Sequence, residues 1–190
     1  MKIFGLAIAM AVLLSTLTTL MAYLCFRFGP RYGILKTDVA GIKPEQEHEK
    51  KPTSPMGYFL HNAGRPTIIL AISLMFSGIT ARVVVSCIIV AIQMFNVVYM
   101  GTVIGVAMRK KKWLSLRVFL RYVLPHGIFE IPGVCTLWAM ALLGTWSAWW
   151  LLTGWSMILV AGFIESRISD PYIEKIYNAQ SVTTTMSPIE

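Results

Sequence analysis

Apolar residues in this chain come in long unbroken runs rather than at alternate positions or once per helical turn. Alternation marks a half-buried strand, and a three-to-four spacing marks a helix with one buried face. Neither describes a stretch such as residues 3–26. A helix rises about 1.5 Å per residue, so about 20 apolar residues cross a hydrocarbon core about 30 Å thick. Several runs reach that length. The pattern predicts an all-α, polytopic membrane protein, a bundle of about five transmembrane helices.

The first helix is expected over residues 1–26. Its apolar stretch exceeds the core of a secretory signal, and no small residue stands just before Cys25 as a lipid-modified cysteine requires. It reads as a retained span, with a cleaved signal as the alternative, and is ended by Arg27, Gly29, Pro30 and Arg31. Residues 27–57 read as a polar flexible loop, with Gly41, Pro44, Pro52 and Pro55 around a charge cluster at 43–51 that cannot build a core. His48 in that cluster reads as solvated rather than metal-bound. Residues 58–171 read as a four-helix membrane domain. Its first apolar stretch, 67–108, is too long for one span and breaks near 77–82, giving a second helix that begins before Pro66 and a third over about 83–108. A basic stop follows at 109–112, with Trp113 as an interfacial anchor. Residues 114–123 mix basic and apolar positions and predict an amphipathic surface segment. The fourth and fifth helices are expected near 127–146 and 149–164, with Trp146, Trp149, Trp150 and Trp155 as an aromatic belt. Residues 172–190 form a polar tail.

Composition sharpens this picture. Of 190 residues, 56% are hydrophobic and 14% charged, against about 25% charged in an ordinary soluble domain. The mean hydropathy is +0.64. The net charge of +8 does not indicate nucleic acid, because the basic residues sit in loops between apolar runs and no groove-reading motif accompanies them. Five alternating helices leave Lys2 and Arg82 on one side and the rest of the 17 Lys and Arg on the other. The positive-inside rule then predicts a multi-pass cell-membrane protein with its basic loops and C terminus in the cytoplasm. Cys25, Cys87 and Cys135 stand singly, without metal or disulfide spacing. No cofactor and no metal site are expected, and the lipid bilayer is the first partner.

Two groups are out of place in such a chain. His126 and Glu130 lie four apart, one helical turn, at the entrance to an apolar run. Pro125 suits the first position of a helix, and Pro132 removes a donor and predicts a kinked fourth helix. A charged group deep in a bilayer costs about 2.5 to 3.5 kcal/mol and so faces protein or water. The simplest arrangement pairs His126 with Glu130. Three roles follow: a structural pin to the third helix through Asn96 or Gln93, a polar path for an ion or solute on a discontinuous helix, or intramembrane catalysis. The last would need HExxH or a further ligand set, and nothing in the sequence completes one. Gly101 and Gly105 form GxxxG in the third helix, and Gly154, Ala161 and Gly162 offer a similar close approach in the fifth. Glu165 and Arg167 read as interfacial charges, or as partners of the basic cluster at 109–112.

Residues 125–132, Pro-His-Gly-Ile-Phe-Glu-Ile-Pro, resemble the signature of the stage II sporulation protein M family, through Pro125, His126, Gly127, Glu130 and Pro132. Asn62 on the approach to the second helix, Asn96 with Gly101 and Gly105 in the third, and Glu165 ahead of the closing Asp170-Pro171 are similar to further family features in the same order. The resemblance covers about 58–171. It implies a five-helix membrane protein without established enzymatic activity; in sporulating relatives such a protein works with peptidoglycan-degrading partners during engulfment. The leading expectation is therefore a non-catalytic scaffold that localises membrane partners, cell-wall hydrolases or transporter subunits among them. The alternative is a small permease or permease subunit with His126 and Glu130 lining a polar path.

Overall fold

The structure, a computed structural model, describes residues 2–28, 54–76, 78–110 and 118–172. These residues form five α-helices: α1 (Lys2–Phe28), α2 (Pro55–Met75), α3 (Ile79–Lys110), α4 (Leu124–Leu143) and α5 (Ala148–Ile164). Two π-helical turns adjoin them, Phe119–Val123 ahead of α4 and Glu165–Ser169 after α5. Most of the expected polar loop (29–53), the second half of the basic stop with Trp113 and the start of the amphipathic segment (111–117) and the tail beyond 172 lie outside the described residues.

Local chemistry sets the helix ends. Ser54 caps α2, its hydroxyl oxygen accepting from the Gly57 N–H at 3.1 Å, and Pro55 takes the first helical position, where its missing N–H loses nothing. This cap starts α2 well ahead of its apolar half, so His61, Asn62, Arg65 and Pro66 belong to the helix. α4 stops at Gly144, which adopts the left-handed conformation (φ 57°). The Gly144 N–H donates to the Ala141 carbonyl and the Thr145 N–H to the Met140 carbonyl, closing a Schellman turn. The described part of the amphipathic segment does not stand apart from the bundle. Its π turn runs straight into α4, the Leu124 N–H reaching back to the Phe119 carbonyl.

α1, α4, the Ile79–Val106 part of α3, and α5 with its continuation to Tyr172 are each long and apolar enough to cross a membrane. α2 has 21 residues and the length, but its first half carries His61, Asn62 and Arg65. Successive helices reverse direction. α1 and α3 run in parallel, with Gly101 set against Met21 and Gly105 against Ala22 and Cys25. The fold is thus an all-α polytopic bundle.

α4 is its axis and touches all four other helices. Leu137, Trp138 and Met140 of α4 are almost wholly buried, against Ala63 and Leu70 of α2, Val85 and Ile89 of α3, and Ile158 of α5. Cys135 and Ala139 also pack on Ala7 of α1. The outside is apolar instead of polar: Val12, Ile68 and Phe95 expose 61%, 61% and 69% of their surface. A water-facing protein does not present apolar surface on this scale, whereas hydrocarbon solvates it. Pro132 sits inside α4, which continues through it. The hydroxyl of Thr136 donates to the Pro132 carbonyl at 2.8 Å.

Candidate functional site

The start of α4 and the end of α5 meet at one end of the bundle. Gly133 and Gly154 bring the two backbones into direct contact, a Cβ on Gly133 falling 2.9 Å from the Gly154 carbonyl oxygen. From that contact the helices run side by side to the two π turns, which also touch. A π turn closes its hydrogen bond at i+5, as between the Asp170 N–H and the Glu165 carbonyl, and such turns recur at functional sites.

Here His126, Glu130 and Glu165 converge, each half-buried, with one potential ligand atom apiece lying within 4.8 Å of the others. His126 and Glu130 share a face of α4 because they are four apart. Glu165 comes from the π turn that ends α5. Behind the cluster, Ser169, 1% exposed, places its hydroxyl 3.3 Å from His126 Nδ1. Beside it the Tyr58 hydroxyl, from the first turn of α2, donates to the Asp170 carboxylate. Glu130 stands six residues inside α4, about 9 Å from its start, so the cluster lies near one end of the span and not at its middle.

The polar pair therefore turns toward α5. α3 packs mainly on α1. Gln93 of α3 is buried, its Nε2 without a partner among the described residues, and Asn96 is half-buried one turn further on. Gly101 and Gly105 lie in the contact with α1, where Cys25 Sγ also reaches Thr102 Oγ1 at 3.6 Å. Asn62 lies half-buried in α2. Pro125 occupies the second position of α4, and nothing lies within 4 Å of where a Cβ on Gly127 would be. Glu165 is part of the cluster, while Arg109 gives its guanidinium to the carbonyls of Phe26 and Arg27 at the end of α1.

Sequence reasoning missed Ser169, Tyr58 and Asp170, and did not join Glu165 to the pair. The signal was available in outline. Alternating helices put the end of the fifth beside the start of the fourth, and Glu165, Ser166, Arg167, Ser169 and Asp170 are the polar residues found there.

The family model described as stage II sporulation protein M matches residues 2–170. The chain belongs to the stage II sporulation protein M family. The match takes in α1, which the motifs of 58–171 do not reach, in keeping with the packing of α1 on α3 and α4. No curated protein and no solved structure matches the chain. In this family member the signature residues 125–132 form the first two turns of α4, and their two polar side chains face the end of α5.

Proposed function

We propose that this stage II sporulation protein M family member is a non-catalytic membrane scaffold that binds a partner membrane protein along α2. One observation carries the reading. His61 and Arg65 are exposed on the outer face of α2, and Arg65 lies ten residues in, about 15 Å from the helix start and two residues before the Thr67 that Trp155 of α5 holds. An arginine facing lipid at mid-span costs about 2.5 to 3.5 kcal/mol. A partner helix that presents a carboxylate to Arg65 removes that cost. Cell-wall hydrolases with membrane anchors are the partner class that the family relationship favours.

The arrangement of the interior supports a scaffold over a permease. Beyond the cluster the axis of the bundle is filled by Leu137, Trp138, Met140 and Ile158. The nearby hydroxyls of Ser73 and Thr136 are engaged with helix carbonyls at 2.6 and 2.8 Å. The polar groups thus stop short of a path across. Catalysis finds little support either, because Ser169 beside His126 is almost completely covered and cannot reach a substrate. We place the end that carries the cluster, with the C terminus and the basic loops, in the cytoplasm of a multi-pass cell-membrane protein, on the charge bias described above, which holds with Arg65 left out of it.

A photo-crosslinker at exposed Leu60 or Ile68 tests the scaffold in native membranes. The expected product is a discrete adduct with another membrane protein, lost in Arg65→Glu and restored by an acidic-to-basic change in that partner. Adducts to lipid alone, or cation flux in vesicles of the purified protein that Glu130→Gln abolishes, would overturn it. A reporter fused after Glu190 and active only outside the cytoplasm would reverse the orientation.

A further inference from the structure

We infer that His126, Glu130 and Glu165 bind a divalent first-row transition ion of the zinc class, which fastens the start of α4 to the end of α5. The inference does not depend on partner binding at α2, and the two are measured separately.

The argument begins with charge. Two carboxylates within a few ångströms of each other repel, the more so away from bulk water, and are stable together when a shared proton or a cation neutralises them. Glu130 and Glu165 are in that position, with the His126 ring completing a triangle whose sides are at most 4.8 Å. In a tetrahedral site with metal–ligand bonds near 2.1 Å, ligand atoms stand about 3.4 Å apart. Metal binding requires side-chain rotation of the carboxylates to close that difference.

The ligand types choose the ion. Imidazole with carboxylates suits zinc, manganese and iron, whereas calcium needs six to eight oxygens and magnesium keeps its waters. Glutamates binding through one or both oxygens fill the shell without a fourth residue.

The surroundings supply the second, independent observation. A ligating histidine uses one ring nitrogen and has the other held by a neighbour that fixes the ring. Ser169 stands in that holding position, 3.3 Å from Nδ1 and 1% exposed. Its place in the fold comes from a π turn whose first residue is Glu165. The turn that delivers the third ligand therefore also delivers the group that orients the first. A second π turn lies against it on the other helix. A structural pin of two side chains would need none of these further devices.

The experiment uses the full chain purified in detergent. Metal content is measured by elemental analysis, and the stripped protein is then titrated with Zn²⁺ and with Co²⁺ while thermal stability and the cobalt absorption bands are recorded. Stoichiometric metal, a rise in melting temperature with Zn²⁺ but not with Mg²⁺, and a cobalt spectrum of nitrogen and oxygen ligands are expected. Glu165→Gln and His126→Gln should lose the Zn²⁺ response, Ser169→Ala should weaken binding by about tenfold, and His61→Gln on α2 should leave it unchanged. Absence of a Zn²⁺ or Co²⁺ response in the stripped wild-type protein overturns the inference, as does an unaltered response in the triple variant H126Q/E130Q/E165Q. The cobalt spectrum is read on unmutated protein, so poor folding of a variant does not blunt the test.

Discussion

Adding one methyl group at Gly133 should force α4 and α5 apart. A Cβ there would lie 2.9 Å from both the Gly154 carbonyl oxygen and Ile158 Cγ1, and 3.0 Å from Met157 Cβ. Ordinary contact begins at 3.4 Å, and a backbone oxygen cannot rotate away, so the helices must separate by about half an ångström. Overpacking of this kind costs about 1 to 3 kcal/mol. Against it stands the gain of up to about 1 kcal/mol that alanine brings to a helix interior. Gly127 in the same helix and Gly64 in α2 have nothing within 4 Å of where the added methyl would sit, so alanine there isolates the propensity gain.

The measurable quantity is the difference. Gly133→Ala should be about 1 to 3 kcal/mol less stable than Gly127→Ala in reversible unfolding in mixed micelles. Gly154→Ala strikes the same contact, its Cβ 3.1 Å from the Gly133 carbonyl oxygen. Once the helices have parted for one methyl the second meets less resistance, so the double variant should lose less than the two singles added together. Equal stability of Gly133→Ala and Gly127→Ala, or strict additivity of the pair, would refute the close-contact argument.

Other contacts yield sharper or smaller effects. Trp138→Ala empties the middle of the bundle, where the side chain is 1% exposed, and should lower stability by about 3 to 5 kcal/mol; a loss below about 1 kcal/mol in the same micelle assay would contradict a core centred on α4. Gly105→Leu should detach α1 from α3, since even a Cβ runs into the Ala22 carbonyl, and fluorescence transfer between labels on the two helices should fall. Tyr58→Phe removes the hydrogen bond to Asp170 and should cost about 1.5 to 3 kcal/mol, the range for a bond to a charged group; thermal unfolding measures it, with Tyr23→Phe on the exposed face of α1 as the neutral control. Gly144→Ala places a side chain at φ 57° and should lose about 1 kcal/mol, seen as a lower melting temperature.

Hydropathy made the bundle legible because a bilayer leaves few options: α1 and α5 begin within two residues of where the apolar runs place them. α2 was harder. Its helix begins in mixed sequence ahead of the long apolar run, and what decides the start is a serine hydroxyl and a proline rather than an apolar stripe. The pair His126 and Glu130 stood out because charge is rare in such segments, but its setting did not. Sequence spacing reports neighbours along one helix, whereas Glu165 and Ser169 reach the pair from another helix through a π turn, and no periodicity announces a single extra residue in a turn. Glu165 read as an interfacial charge for the same reason: its distance from the helix end is visible in sequence, and the helix it faces is not.

The outer face of α2 and the cluster between α4 and α5 are joined by short contacts. Tyr58 belongs to the first turn of α2 and holds Asp170, Asp170 follows Ser169, and Ser169 holds His126. Pro55 and Tyr58 also seat against Gly162, where a Cβ would come within 2.8 Å of the Pro55 carbonyl oxygen. α2 thus cannot slide or tilt at this end without disturbing the π turn that carries Glu165. Its other end is fixed by the Ser73 hydroxyl on the Ala141 carbonyl, and its middle by the Trp155 N–H on Thr67. The helix least suited to lipid is therefore the one tied by side-chain hydrogen bonds along its whole inner face. That is the arrangement expected of an element held in place by protein contacts, because hydrocarbon gives His61, Asn62 and Arg65 no reason to stay.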